Sequence, residues 1–298
     1  MGIRISNKSN VPYICILPAV ILILVFLAYP IMNVFYYSFQ SYNPNLPWMD
    51  GFAGFDNFAR IFTDDPVVAS SLKTSVEWVL VEVSLQFIFG LALALILNQA
   101  FRGRNGMRAV VFAPWAISGV LTSMIWALLY NQNIGLINDL LLKAGIINEP
   151  VAWLANRDCV FWSVIVAELW RGIPFFAILL LAGLQTIPLE LYEACKMDGG
   201  GKIRQFISVT LPYLKDSIIL SSLLRVVWEF NNVDLIYTLT GGGPANQTTT
   251  LVMYITNTAI RDQDFGYGSA LSVVAFVILL AFALIYLKLT NFGKEDLL

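Results

Sequence analysis

The stretch QTIPLELYEACKMDGGGKIRQFISVTLP, residues 185–212, separates two long apolar runs and carries a pattern of its own. A bare connection between helices needs only about five residues, so these 28 must build structure. Pro188 suits the first turn of a helix, and Leu191, Ala194 and Cys195 at i, i+3 and i+4 give that helix a small apolar face. Asp198 then precedes Gly199, Gly200 and Gly201, which permit a sharp reversal through positive φ. Ile203, Phe206, Ile207 and Val209 offer a second amphipathic helix, expected to end at Pro212. The spacing predicts a helix-turn-helix lying against one face of whatever the apolar runs assemble.

Those runs decide the solvent. Six stretches reach the roughly 20 residues that cross a bilayer, at 11–37, 74–97, 107–130, 160–184, 213–239 and 266–289. Over the 298 residues, 58% are apolar and 13% charged, against about 25% charged in soluble domains, and the mean hydropathy is +0.71. This is an all-α integral membrane protein, read as a single transmembrane domain over residues 1–298. A net charge of −2 leaves no basic excess for nucleic acid. The absence of histidine removes His-based zinc, haem and triad chemistry, so neither metal nor cofactor is expected. Cys15, Cys159 and Cys195 read as packing residues rather than a disulfide framework.

An even number of spans leaves both termini on one side. With the termini inside, the inner segments and span ends hold eleven Lys and Arg, including Arg4, Lys8 and Lys294, against five in the outer segments, namely Arg60 and Lys73 in the loop 40–73, Lys143 and Arg157 in the loop 131–159, and Arg261 before the last span. The positive-inside rule therefore predicts cytoplasmic termini, with the 185–212 hairpin on the cytoplasmic face. Pro30, Pro114 and Pro174 predict bends in the first, third and fourth spans.

The segment from Glu193 to Pro212, EACKMDGGGKIRQFISVTLP, resembles the EAA loop of the membrane subunits of binding-protein-dependent ABC importers. Glu193, Ala194 and Gly199 match in register, and Leu211 and Pro212 close the motif at the family's spacing. Cys195 stands where a second Ala is usual, Gly200 where Ala is frequent, and Val209 where Ile is usual. The stretches LPAVILILVFLAYPIMNVFYYSF at 17–39, GFDNFARIF at 54–62 and NNVDLIYTLTGGGPANQTTTLVMYI at 231–255 resemble the sugar-type permeases of this family, the branch of the maltose F and glycerol-phosphate A subunits. The resemblance implies the type I importer permease fold and a place in the bacterial inner membrane. It implies as partners a second related permease subunit, two cytosolic ABC ATPase subunits and an extracytoplasmic solute-binding protein, with a sugar-like solute. Glu193, Ala194, Cys195, Asp198, Gly199, Leu211 and Pro212 would then couple to the ATPase. The chain has no P-loop of its own. In GGGK the Ser/Thr position is Ile203 and the first Gly position is Lys196.

Ionisable groups inside a bilayer each require a reason. Glu168 and Arg171 stand at i, i+3 on the fourth span, and Arg225 and Glu229 at i, i+4 on the fifth, so each pair is expected to be partly self-neutralising on one helix face. They read either as glue in the bundle or as the lining of a path. Trp126, Trp170, Trp228, Asn232 and Asp234 surround them, a set with flat apolar faces and planar polar groups suited to carbohydrate. Trp48 and Tyr130 read as interfacial belt residues. Glu77 and Glu82 project about 140° apart on a helix and cannot share one pore, with Glu77 reaching the headgroups. TGGGPANQTTT, residues 240–250, reads as a surface loop, flexible or, as the resemblance implies, near the docked binding protein. Two other classes compete. An ion-coupled secondary transporter using Glu82, Glu168 and Asp234 should show paired broken helices in inverted halves, and the hairpin has no counterpart after span one. An integral-membrane enzyme needs a base and a nucleophile, and neither is evident.

Overall fold

A computed structural model describes residues 11–292. Arg4, Lys8 and Lys294 of the charge census lie outside the described residues. The helices long and apolar enough to cross a membrane are Tyr13–Ser38, Pro66–Asn98, Val160–Gln185, Lys202–Leu239 and Phe265–Thr290, and the bent pair Arg104–Ala116 and Gly119–Leu129, counted together as one broken span, brings the number to six. The second span starts eight residues before the expected 74, because the polar stretch ASSLK continues the helix that Pro66 opens.

The chain divides into two compact units. The first comprises residues up to 65 together with 255–277. In it the first span leads into a two-residue antiparallel ladder, Gln40–Ser41 with Gly51–Phe52, and the helix Asp56–Thr63. Asn57 ties these together, its Nδ2 donating to the carbonyls of Ser38 at 3.0 Å and Gln40 at 2.9 Å. The guanidinium of Arg60 lies 3.8 Å over the ring of Tyr267 and pairs with Asp264, while the Tyr267 hydroxyl donates to Asp65 at 2.6 Å.

The second unit, residues 66–254 and 278 onward, holds the second to fifth spans. Apolar side chains gain nothing by leaving lipid for a neighbouring helix, so close approach and polar contacts must hold such a bundle together. Gly90 supplies the approach: a Cβ there would sit 2.5 Å from Cβ of Phe176 on the fourth span. Below it Ala94, Leu97, Phe176, Leu180, Leu184, Val209 and Leu214 form a buried cluster at the hairpin end.

The prolines act in three different ways. Pro30 and Pro212 each follow a π-helical turn, Leu24–Ala28 and Phe206–Thr210, in which the residue before the proline bonds to the carbonyl five back, Tyr29 to Leu24 and Leu211 to Phe206. The wider turn moves the carbonyl that the ring would strike. The second arm of the hairpin therefore does not end at Pro212, as its sequence suggests, but runs on into the fifth span. Pro114 lies in a 3-10 segment, Ala113–Ala116, and the third span bends by 97° just after it, between Ala116 and Gly119. The fourth span runs through Pro174 as one helix, Val160–Gln185.

Candidate functional site

Pro188 precedes the helix Leu189–Met197, and Gly199 at φ +76° reverses the chain after it. The reversal is closed by Gly200 N–H to the Cys195 carbonyl at 2.8 Å and Gly199 N–H to Lys196 at 3.0 Å. A Cβ at position 200 would meet the Cys195 sulfur and carbonyl, which explains why glycine stands there. Leu191, Tyr192 and Cys195 face the buried cluster, and the Tyr192 hydroxyl meets Thr210 Oγ1 at 3.0 Å across the hairpin. Ala194, expected on that apolar face, is exposed instead with Glu193, Met197 and Asp198. The helix thus rests on the bundle by one edge and presents the other.

At the opposite end of the fifth span, helix gives way at Asn231 and resumes as Asp234–Leu239. This break meets the break of the third span: a Cβ on Gly119 would lie 3.2 Å from Cβ of Asp234 and 3.8 Å from Arg171 Nη1. Between the two breaks opens a cavity of about 280 Å³. Its walls are Trp115, Arg171, Trp228, Asn231, Asn232 and Asp234, with Arg225 and Glu229 beneath. Irregular backbone at membrane depth is tolerated where it lines such a space.

Beneath the cavity, the two ion pairs expected to close on their own helices merge into one network across three. Arg171 holds Glu168 through Nε at 3.1 Å and Nη2 at 2.9 Å, and Arg225 reaches the same carboxylate at 3.0 Å while pairing with Glu229. Glu229 also accepts from Trp78 Nε1 at 3.1 Å, Gln86 Nε2 at 3.0 Å and Asn232 Nδ2 at 3.2 Å. Gln86 accepts from Arg225 Nε and donates to Glu82 at 2.8 Å. Glu82, Glu168 and Glu229 are buried, and Oε1 of Glu82 has no partner among the described residues. Charges taken from water persist only with such compensation. Gly172 makes room for it, since a Cβ there would meet both Gln86 and Arg225.

Of the path candidates, Arg171, Trp228, Glu229, Asn232 and Asp234 line the cavity and Glu168 is buried under it. Trp126 and Trp170 lie off it, packed on each other at 6.3 Å in a row that continues through Tyr130 to Trp153. Against the belt reading, Tyr130 is buried, and its hydroxyl donates to the Ser163 carbonyl at 2.9 Å. Sequence reasoning missed Trp115, Asn231 and Gln86. Trp78, Glu82 and Gln86 recur every fourth residue, and that polar stripe on an apolar span was the available signal. Glu77 is exposed and pairs with Lys73 at 3.7 Å.

The loop after the fifth span is not loose. Thr248, Thr249 and Thr250 are buried, Thr248 Oγ1 meets Thr240 Oγ1 at 2.8 Å, and Thr249 Oγ1 donates to the Gly242 carbonyl at 2.9 Å. Beside the fourth span, the Cys159 thiol donates weakly to the Trp153 carbonyl at 3.6 Å, and burial pushes its pKa up, as suits a packing residue. Among the described residues no cluster of His, Cys, Asp and Glu could hold a metal ion.

Comparison with known proteins gives this geometry a family. The trehalose/maltose transport system permease protein MalF of Thermococcus litoralis is 38% identical over 292 residues, spanning 97% of this chain and 96% of that protein. The sulfoquinovosyl glycerol transport system permease protein SmoG of Agrobacterium fabrum is 36% identical over 91% of this chain and 87% of its own length. Among solved structures, a chain of a bacterial ABC transporter involved in import of the acidic polysaccharide alginate superposes with a TM-score of 0.82 at 21% identity, covering 96% of each chain, and shares the type I permease fold. The match to the family described as "Binding-protein-dependent transport system inner membrane component" runs over residues 86–291. The chain is a multi-pass inner-membrane permease and belongs to this family.

Proposed function

We propose that the chain is one half of a permease pair that passes a sugar, oligosaccharide or related polyol inward across the cytoplasmic membrane by alternating access. ATP is hydrolysed by two separate cytosolic ATPase subunits, and an extracytoplasmic binding protein delivers the solute. The observation that carries this reading is the cavity where the two helix breaks meet. Trp115 and Trp228 offer flat faces to C–H surfaces, while Asn231, Asn232, Asp234 and Arg171 offer planar polar groups to hydroxyls. The cargo class is supported by the relatives named for trehalose/maltose and sulfoquinovosyl glycerol transport. The binding protein is supported by the related alginate transporter, whose structure is described in complex with an oligosaccharide-bound periplasmic protein.

In this reading the ATPase receives the exposed edge of the hairpin, with Glu193, Ala194 and Asp198 in contact. Cys195, Gly199, Leu211 and Pro212 shape the turn and the start of the fifth span behind it. The Lys and Arg census favours cytoplasmic termini and hairpin, and hence an outward-lying cavity. Replacing Trp228 or Asn232 with Ala tests the cavity. Uptake should lose at least fivefold in apparent affinity or rate, with complex assembly and basal ATP hydrolysis retained. Unchanged uptake in both variants would return these residues to plain packing. Uptake that persisted without ATP and collapsed with an ion gradient would replace the ATPase with ion coupling.

A further inference from the structure

The corner between the second and third spans, FRGRNGMR at 101–108, enters the reading above only through the charge census. Arg102, Arg104 and Arg108 crowd it, and no Asp or Glu occurs from residue 98 to 113. Among the described residues none of the three forms an ion pair. Arg108 donates from Nη2 to the Leu97 carbonyl at 3.2 Å, in the last turn of the second span, while its buried Nε finds no acceptor. Gly103, at φ +89°, turns the chain, and Ala100, Phe101, Arg104, Asn105 and Gly106 line an open hollow of about 380 Å³, with Arg102 and Arg108 flanking this lining in the sequence. The surrounding surface is apolar as well as basic, with Phe101, Met107 and Val110 exposed.

Unpaired guanidinium groups bind phosphate oxygens in a bidentate fork, more selectively than ammonium groups do. A soluble phosphate would use the arginines but not the apolar rim. A zwitterionic lipid brings its own cation and gains little from three more. A phosphodiester headgroup with net negative charge, set on acyl chains, uses both features, and basic hollows at the cytoplasmic ends of spans are where such lipids bind. We propose that this corner binds the headgroup of an anionic phospholipid of the phosphatidylglycerol class. The leaflet rests on the orientation given under the proposed function.

The test uses the assembled importer, as wild type, as R102Q/R104Q/R108Q, and as R102K/R104K/R108K, which preserves the charge that orients the chain. Native mass spectrometry during delipidation should find phosphatidylglycerol retained over phosphatidylcholine by the wild type. The Gln variant should lose that preference by roughly 100-fold, from three arginines near the surface, and the Lys variant should fall between. Equal retention by wild type and Gln variant overturns the proposal. Adding millimolar inorganic phosphate to the wild type in phosphatidylcholine should leave its melting temperature unchanged. A rise matching that given by phosphatidylglycerol overturns the lipid in favour of a soluble phosphate. The leaflet is tested separately by N105C, in a background lacking Cys15, Cys159 and Cys195, with an impermeant thiol reagent. Labelling confined to inside-out vesicles supports the cytoplasmic leaflet, and labelling from outside with lipid preference intact overturns the orientation and not the headgroup chemistry.

Discussion

Gly172→Ala asks whether the buried ionic network holds the second, fourth and fifth spans in register, because it adds one methyl group and removes no polar atom. The new Cβ would run into the Gln86 amide and the Arg225 guanidinium. Neither side chain can retreat freely. Gln86 bonds to Glu82, Glu229 and Arg225, and Arg225 also holds Glu168. Overpacking by a methyl costs about 1–3 kcal/mol, and one charge-assisted hydrogen bond given up costs about 1.5–3 kcal/mol more. With one bond lost, the sum is about 4 kcal/mol, or roughly 10 °C in melting temperature at about 2–4 °C per kcal/mol. Gly90→Ala is the control, since its Cβ meets Phe176 and backbone, and overpacks without touching the network. Thermal unfolding of the purified complex followed by tryptophan fluorescence reads both variants. Gln86→Ala should reduce the cost of Gly172→Ala by at least about 1 kcal/mol in a double-mutant cycle, because it frees the space and severs the bonds at once. A Gly172→Ala variant that melts within about 2 °C of wild type, or whose cost is the same with and without Gln86, would refute the reasoning.

Glu193→Lys puts a cation on the exposed edge of the hairpin, and Gly199→Val puts a branched residue at φ +76°. Both should keep six spans yet lose the ATPase subunits on co-purification, or lose transport; variants that hold the ATPase and transport normally would remove the hairpin from the coupling path. Gly119→Val crowds Asp234, whose Cβ would lie 3.2 Å from the new Cβ, so uptake should fall at least tenfold with folding preserved; unaffected uptake would mean that the two breaks need not meet during transport. Ser75→Ala strips the Leu251 N–H of its 2.7 Å acceptor and should destabilise by about 1–3 kcal/mol, with an unshifted melting curve as the contrary result.

The spans and the hairpin were legible in the sequence because each rests on a local signal: twenty apolar residues in a row, or glycines after a short amphipathic helix. What failed depended on contacts between helices. The pairs Glu168 with Arg171 and Arg225 with Glu229 look self-sufficient at i, i+3 and i+4, and nothing local says that Arg225 will also reach Glu168 at 3.0 Å. Trp126 and Trp228 are equally plausible sugar platforms in the sequence. Only the 97° bend of the third span turns Trp115 into the cavity and leaves Trp126 against Trp170. Pro212 misled for a different reason. A proline does end an ordinary α-helix, and the π-turn that lets the chain pass it carries no compositional mark in FISVT.

That continuity bears on how the two ends of the molecule can communicate. From Pro212 to Phe230 the fifth span is one rod, about 27 Å long at 1.5 Å per residue. Its near end is fastened to the helix Leu189–Met197 through Tyr192 and Thr210, and its far end carries Arg225 and Glu229 into the network and Asn231 to Asp234 into the cavity wall. If the ATPase moves the hairpin, the rod must shift against the second and fourth spans. The bonds of Glu229 to Trp78 and Gln86 and of Arg225 to Glu168 then strain together, because they share the same two side chains on the rod. Partial displacement would leave buried charges half-paired, which costs more than either a closed network or a fully re-paired one. A network of this kind penalises intermediate positions and favours discrete arrangements, and discrete arrangements are what a partner with different affinity for each could shift between.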